Sequence, residues 1–340
     1  VRLLKISFSF VVLTFCVKFF GCSRILLNRI GKTVVVTRTM DCRIDDSPEL
    51  WLCPRGMQVD GGTEKNSLSW ISKYGSLLIK AWNKEAIFDG INEHGLSVNL
   101  LYLGATEYEP EDDRPTVSTA VWIRYFLDNF KTVKEAVANL DDFRLVSVKI
   151  YGDLYPLHIA LSDATGDSAI VEYINGKLTV HHGPEYVVMT NDPIYSEQLK
   201  NMQNYEGLGG TLPLPGSISS KDRFVRANYF LQYLPVANSA VEAVAYAFDS
   251  IYNVSRSYSI RTHSANPNYE KHPTWWVTVA DLTNKVYYFR YTKKIHTIWF
   301  DMKHLNFECS ADPMKLDLKS VERPGESSAQ FESLCGMECK

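Results

Sequence analysis

Residues 22–42 read CSRILLNRIGKTVVVTRTMDC, the layout of a β-hairpin that begins on a cysteine. Ser23–Leu27 is rich in apolar residues, Asn28–Gly31 supplies turn chemistry, and Thr33–Met40 is largely β-branched. With the turn centred on Arg29–Ile30, facing residues have numbers that sum to about 59–60. Cys22 is then expected opposite Thr37 or Arg38, with an arginine beside its thiol.

Upstream, Val1–Gly21 reads VRLLKISFSFVVLTFCVKFFG, with Arg2 and Lys5 ahead of an apolar run. This is the order of an export signal, too short and badly flanked for a transmembrane helix. Cleavage after the small residue Gly21 makes Cys22 the first residue of a periplasmic or secreted chain. A first-residue cysteine carries a thiol and a free α-amine on neighbouring carbons, so one residue supplies nucleophile and base. The same Phe-Phe-Gly-Cys junction also has the form of a lipoprotein signal. In that alternative Cys22 is acylated and anchors a protein with a binding or structural role.

The chain has 340 residues, 45% hydrophobic and 22% charged, which fits a soluble globular protein. Its net charge is −3, and Arg2, Lys5 and Lys18 all lie in the leader, so the remainder is more acidic still. No Lys/Arg-rich run follows, which argues against nucleic acid as a partner. The 19 Tyr, 16 Phe and 7 Trp suggest a β-rich protein with aromatic lining. Beyond the leader, the cysteines Cys22, Cys42, Cys53, Cys309, Cys335 and Cys339 are too scattered for a dense disulfide framework. Cys335 and Cys339 fall in the polar stretch KSVERPGESSAQFESLCGMECK, where they could pair with each other or with Cys309. Two cysteines four apart do not make a metal site.

Strands are expected at Leu68–Ile71, Ser76–Trp82 and Leu96–Leu103, with Asp89–Gly95 (DGINEHG) as a turn. The pattern then becomes helical over Val117–Phe130 and Val133–Leu140, where Thr132 and Glu135 form a capping box. Strands resume at Leu157–Ser162, Ser168–Ile174, Lys177–His182 and Tyr186–Thr190. Helices follow at Ser220–Leu234 and Ser239–Ser250, then strands at Trp275–Asp281, Lys285–Tyr291 and His296–Phe300. Strands and helices in alternating blocks indicate a layered α+β fold. We read one domain over residues 22–307 and a polar tail over 308–340.

Six residues could carry chemistry, and each alone has a plainer reading. Cys22 could be the anchor. Arg38 and Asp41 could be a strand-end ion pair, worth little if exposed. Asn191 could be a turn residue, Arg223 a helical surface charge, and Tyr102 a core residue. His181 and His182 sit together on a strand and point to opposite faces, so they do not chelate. No HExxH, GxSxG or P-loop occurs. Cys53 is followed by Pro54, which denies it the helical context of a papain-like nucleophile.

In order and spacing, however, the six resemble the choloylglycine hydrolase family of conjugated bile salt hydrolases and penicillin V acylases. The likeness runs from Cys22 to about Leu318. It rests on Cys22-Ser23-Arg24, Thr37–Asp41, Asn92–Leu96, Asn99–Leu103, Leu127–Val137 (LDNFKTVKEAV), Gly166–Tyr173 (GDSAIVEY), Met189–Asp192 and Asp222–Ala227 (DRFVRA). It is nearest to the Gram-negative branch, penicillin-V-acylase-like enzymes that also cleave N-acyl homoserine lactones.

The resemblance implies a four-layer αββα N-terminal-nucleophile (Ntn) hydrolase fold. It implies Cys22 as nucleophile, with Arg38 and Asp41 flanking its thiol and amine. Asn191 then supplies an oxyanion-hole amide, the Tyr102 backbone N–H the second donor, and Arg223 a second arginine holding the site. No metal or cofactor is implied; the partner is a small N-acyl amide, cleaved through a thioester, and the assembly a homotetramer.

The residues suit these roles. A free thiol ionises near ~8.5 and an adjacent cation favours the thiolate, so Arg38 and Arg223 are expected to activate Cys22. An α-amine titrates near ~7.7–8.0, suited to shuttling protons at neutral pH. Two positions depart from the relatives, which usually carry Trp where this chain has Cys42 and Tyr102. Both changes are expected to thin the aromatic lining of the acyl pocket, and Cys42 places a second thiol near the first.

Overall fold

The structure, a computed structural model, describes residues 21–45, 47–82, 86–150, 152–257 and 272–334. The expected leader over Val1–Phe20 and the pairing of Cys335 and Cys339 lie outside them. Two β-sheets form the middle of the molecule. The seven-stranded sheet runs, edge to edge, Val188–Met189, Arg24–Leu27 (β1), Val35–Asp41 (β2), Thr274–Asp281, Val286–Tyr291, Ile298–Asp301 and Gly325–Glu326. The nine-stranded sheet runs Lys177–His182, Ser168–Ile174, Leu157–Ser162, Ser97–Tyr102, Ala86–Asn92, Ser76–Ala81, Glu49–Cys53, Met314–Asp317 and Glu332–Ser333.

Polar contacts bridge the sheets face to face. Thr278 Oγ1 donates to Asp89 Oδ2 at 2.6 Å, Arg38 Nη2 to the Leu100 carbonyl at 3.1 Å, and Arg24 Nη2 to the Leu161 carbonyl at 3.4 Å. Helices cover the outer faces. α1 (Trp122–Asn129) lies on the Ala86–Asn92 strand, and α2 (Val133–Val137) touches Ser168–Ile174. On the other side α5 (Ala240–Tyr252) covers β1, β2 and Thr274–Asp281, with α4 (Ser220–Gln232) against it and α3 (Tyr195–Met202) against α4. This is the αββα sandwich that the resemblance implies. Among the described residues no helix is long and apolar enough to cross a membrane.

Several local expectations need correction. The hairpin connection is a loop, Asn28–Val34, with Ile30 buried and its carbonyl accepting from the Ala237 amide at 2.7 Å. Arg24 therefore faces Arg38, and continuing that register puts Cys22 across from Met40 rather than Thr37 or Arg38. Asp89–Gly95 is mostly strand, and only its end turns. A Cβ on Gly90 would lie 2.6 Å from Leu127 Cδ1, so this glycine admits α1 rather than marking a turn. The first helix is shorter than expected because Thr116–Ser118 is extended and pairs with Arg144–Val146.

The boundary at 307 also moves. Met314–Asp317 pairs with Glu49–Cys53, and Gly325–Glu326 pairs with Ile298–Asp301, so the segment read as a polar tail builds the edges of both sheets. Its polar composition suits edge strands with one face in water. The Thr132 cap is observed, its side chain accepting from the Glu135 amide, while Glu135 reaches back to the Lys131 amide at 2.8 Å.

Candidate active site

Cys22 and Ser23 extend β1. The Thr39 amide donates to the Ser23 carbonyl at 2.9 Å, and the Gly21 amide to the Asp41 carbonyl at 3.3 Å. That register puts the Cys22 sulfur 3.5 Å from the Asp41 amide, which donates to it. The thiol is buried, 3% exposed, and burial pushes its pKa above the ordinary value. Arg38 and, more weakly, Arg223 act the other way, while the Asp41 charge adds to the rise. The arginines thus have the expected sign, but desolvation outweighs them. The net direction favours the protonated thiol.

Asp41 ends β2 beneath that thiol. Its Oδ1 accepts from Thr274 Oγ1 at 2.6 Å, whereas Oδ2 is buried with no hydrogen-bond partner. A Cβ placed on Gly21 would lie 3.2 Å from that oxygen. Oδ2 thus lies beside Gly21, the residue before Cys22, with the Arg256 side chain against the same glycine and its charge acting on Asp41. Burial raises the pKa of Asp41, and Arg223 and the Thr274 hydroxyl oppose the rise. Arg38 comes from β2 on the face turned toward the other sheet, its guanidinium 4.8 Å from the centre of the Trp276 ring.

Arg223 leaves the first turn of α4, whose N-cap Ser219 accepts from the Asp222 amide. It is buried, not the surface charge its sequence context suggests. Its Nε donates to the Ile218 carbonyl at 3.1 Å, Nη1 to the Cys22 carbonyl at 2.7 Å, and Nη2 to Asn191 Oδ1 at 2.9 Å. Burial lowers its pKa to about 10, opposed by Asp41, so it stays a cation at neutral pH. With Oδ1 held, Asn191 turns its amide nitrogen toward the Tyr102 carbonyl, 2.7 Å away. One of two N–H bonds is used there and the other remains available for a ligand. The Asp192 carboxylate accepts from the Gly104 and Ala105 amides at 2.9 and 3.1 Å, fixing the loop after Tyr102. The structure thus brings the six into one chain of contacts: Asp41 and Arg38 act on the thiol, and Arg223 links the Cys22 carbonyl to Asn191 and through it to Tyr102.

Sequence reasoning also missed neighbours of the site, Thr274 and Trp82 among them. Thr274 buttresses Asp41 but lies far off in sequence, next to an undescribed segment. Trp82, with φ of 54°, follows the Ser76–Ala81 strand and packs 4.7 Å from Phe88 and from Tyr155, ring centre to ring centre. Cys42 donates its S–H to the Ile44 carbonyl at 2.9 Å and lies within hydrogen-bonding reach of Trp82. Burial first, then the neighbouring Cys22, raises the Cys42 pKa. A cluster of buried aromatic rings, Trp82, Phe88 and Tyr155, thus stands beside Cys42.

A buried thiol, a buried carboxylate beside it and a fork-held amide thus sit together on an αββα sandwich. Residues 22–315 match the sequence model of the family described as linear amide C–N hydrolases, choloylglycine hydrolase family. The penicillin V acylase of Pectobacterium atrosepticum is 36% identical over 325 residues, 87% of this chain and 85% of that protein. A bile salt hydrolase/transferase of Lactiplantibacillus plantarum is 25% identical over 64% of this chain and 74% of its own. Among solved structures, the penicillin V acylase of Agrobacterium tumefaciens superposes with a TM-score of 0.82 at 38% identity, covering 92% of this chain and 97% of that one. A variant of the conjugated bile acid hydrolase of Clostridium perfringens shares the fold, with a TM-score of 0.73 at 20% identity over 89% and 98% of the two chains. The chain belongs to the choloylglycine hydrolase family and is a hydrolase of linear amide C–N bonds.

Proposed function

We propose that this enzyme is a cysteine Ntn amidohydrolase that cleaves N-acyl amides through a thioester on Cys22. The observation that carries the reading is the Arg223 fork, which holds the Cys22 carbonyl and the Asn191 amide in one rigid unit. In the processed chain the neutral α-amine takes the thiol proton, and sulfur attacks the acyl carbon. The resulting oxyanion is met by the remaining Asn191 N–H and the Tyr102 backbone N–H. Losing one donor of such a pair typically costs about 2.7–4 kcal/mol of barrier. The ammonium then protonates the leaving nitrogen as the C–N bond breaks. Water attacks the thioester, its proton returns through the amine, and the acid departs. Asp41 Oδ2 orients the amine and supports its charged form, while Arg38 stabilises charge on sulfur.

Substrates are proposed in the order penicillin V, N-acyl homoserine lactones, then glycine- or taurine-conjugated bile acids, following the order of likeness. The same reading includes cleavage after Gly21, a periplasmic or secreted location, and a homotetramer. A panel of the three substrate types, read by amine release, tests it, with Cys22→Ala as the control. Amine release is expected in the parent and none in Cys22→Ala; full activity in that variant would sink the mechanism. Intact mass tests the N-terminus: an unmodified Cys22 is expected, and a diacylglycerol adduct there would replace the enzyme reading with an anchored lipoprotein.

A further inference from the structure

Asn191 is held by more than Arg223. Gln198, buried on α3, presents Nε2 to four oxygens: Thr190 Oγ1, the Asn191 carbonyl and Ser220 Oγ, each at 3.1 Å, and the Asp192 carbonyl at 3.3 Å. Two of these are carbonyls and can only accept, so the amide must present its NH2 there. Its Oε1 is consequently left buried with no hydrogen-bond partner. A buried polar atom without a partner is costly, and one retained in a native fold calls for a reason.

His158 grips the preceding peptide from the other side. Its Nε2 lies 2.9 Å from the Thr190 carbonyl and its Nδ1 3.3 Å from Glu172 Oε1. The Glu172 carboxylate also accepts, at 3.1 Å, from the amide of Tyr195, the first residue of α3. One carboxylate thus sets both the histidine and the helix that carries Gln198. The Asn191 amide itself donates to Ser220 Oγ at 2.9 Å. Both peptide planes flanking Asn191 are therefore clamped, at the Thr190 oxygen by His158 and at the Asn191 oxygen by Gln198.

We propose that Gln198 and His158 are positioning residues that aim the Asn191 side-chain amide at the oxyanion, an inference that rests on the oxyanion role of Asn191 given above. Neither touches substrate. Each fixes a peptide plane, and a small misplacement of a catalytic group can cost up to about 100-fold in rate.

The test compares kcat and KM for amide hydrolysis with the rate of Cys22 alkylation by iodoacetamide. That alkylation displaces iodide at a saturated carbon and forms no oxyanion. Gln198→Met is expected to lower kcat by about 10-fold or more, with KM and alkylation within about two-fold of the parent. Gln198→Asn, which keeps an amide but shortens its reach, gives the same comparison if the methionine variant does not fold. His158→Leu should behave likewise, and His158→Gln, which restores a donor, should recover most of the rate. In an Asn191→Ala background Gln198→Met should add no further loss, because the two act as one unit. Unchanged kcat in the Gln198 variants, with activity lost in Asn191→Ala, overturns this proposal alone. Unchanged kcat in Asn191→Ala overturns the oxyanion assignment beneath it. Alkylation falling in step with kcat would reduce Gln198 to a structural part and also overturn the proposal.

Discussion

Arg223 Nη2 lies 2.9 Å from Asn191 Oδ1 while Nη1 of the same guanidinium lies 2.7 Å from the Cys22 carbonyl oxygen. A planar fork cannot vary one of these contacts without the other, so it sets the separation between thiol residue and amide. It also fixes which end of the Asn191 amide faces the Tyr102 carbonyl, since a guanidinium donates only and must meet the oxygen.

Arg223→Lys keeps the charge and loses the fork. The Asn191 amide then has no fixed orientation, and kcat/KM is expected to fall by about 100-fold or more. Steady-state amine release measures this, with the Cys22 alkylation rate as a check that the thiol remains in place. A lysine variant within about two-fold of the parent would show that the charge alone suffices.

Arg38 opposes the upward shift that burial imposes on the Cys22 thiol. Removing a cation disfavours the thiolate, so Arg38→Met is expected to raise the thiol pKa further. The pH–rate profile for alkylation should move to higher pH, with slower reaction near neutrality. A profile that stays in place, or moves down, would mean that Arg38 serves packing between the sheets instead.

Asp89 lies between the sheets, and burial pushes its pKa up to about 6 despite the opposing Arg38 charge and Thr278 hydroxyl. The folded protein therefore binds this proton more tightly than the unfolded chain, whose Asp titrates near ~3.9. The resulting stability is complete below about 3.9 and is lost as the pH rises through about 6. Asp128, also near 6 through burial, acts in the same direction. The urea midpoint is expected to rise from pH 7 to pH 5, and the rise should shrink in Asp89→Asn. An equal rise in the variant would remove Asp89 from the account.

Much of the framework was legible because local pattern and final burial agree. Leu157–Ser162 and Ser168–Ile174 match their expected limits as largely apolar runs bounded by turn residues, and Lys177–His182, a half-exposed edge strand with Leu178 and Val180 on one face, matches as well. The grouping of the site residues was legible through ordered motifs, since spacing alone put Cys22 two or three residues out of register. What failed has physical causes. Ala86–Asn92 is buried along its whole length and carries Gly90 for helix contact, so Asp89-Gly90 imitates a turn. α3 buries only Tyr195 and Gln198, and so shows no apolar stripe and concealed a site neighbour. The net state of the Cys22 thiol depends on desolvation, which residue order does not reveal.

The segment from Met314 to Ser333 contributes Met314–Asp317 and Glu332–Ser333 to one sheet and Gly325–Glu326 to the other. It laces together the two margins farthest from the thiol. An exposed margin is a row of unpaired amides and carbonyls that invites pairing with another molecule. These strands are also the last of the sandwich to be synthesised. A chain truncated at Phe307 would keep all six residues gathered at Cys22 yet expose two adhesive ladders, so loss of this lacing should show first as aggregation rather than as altered chemistry.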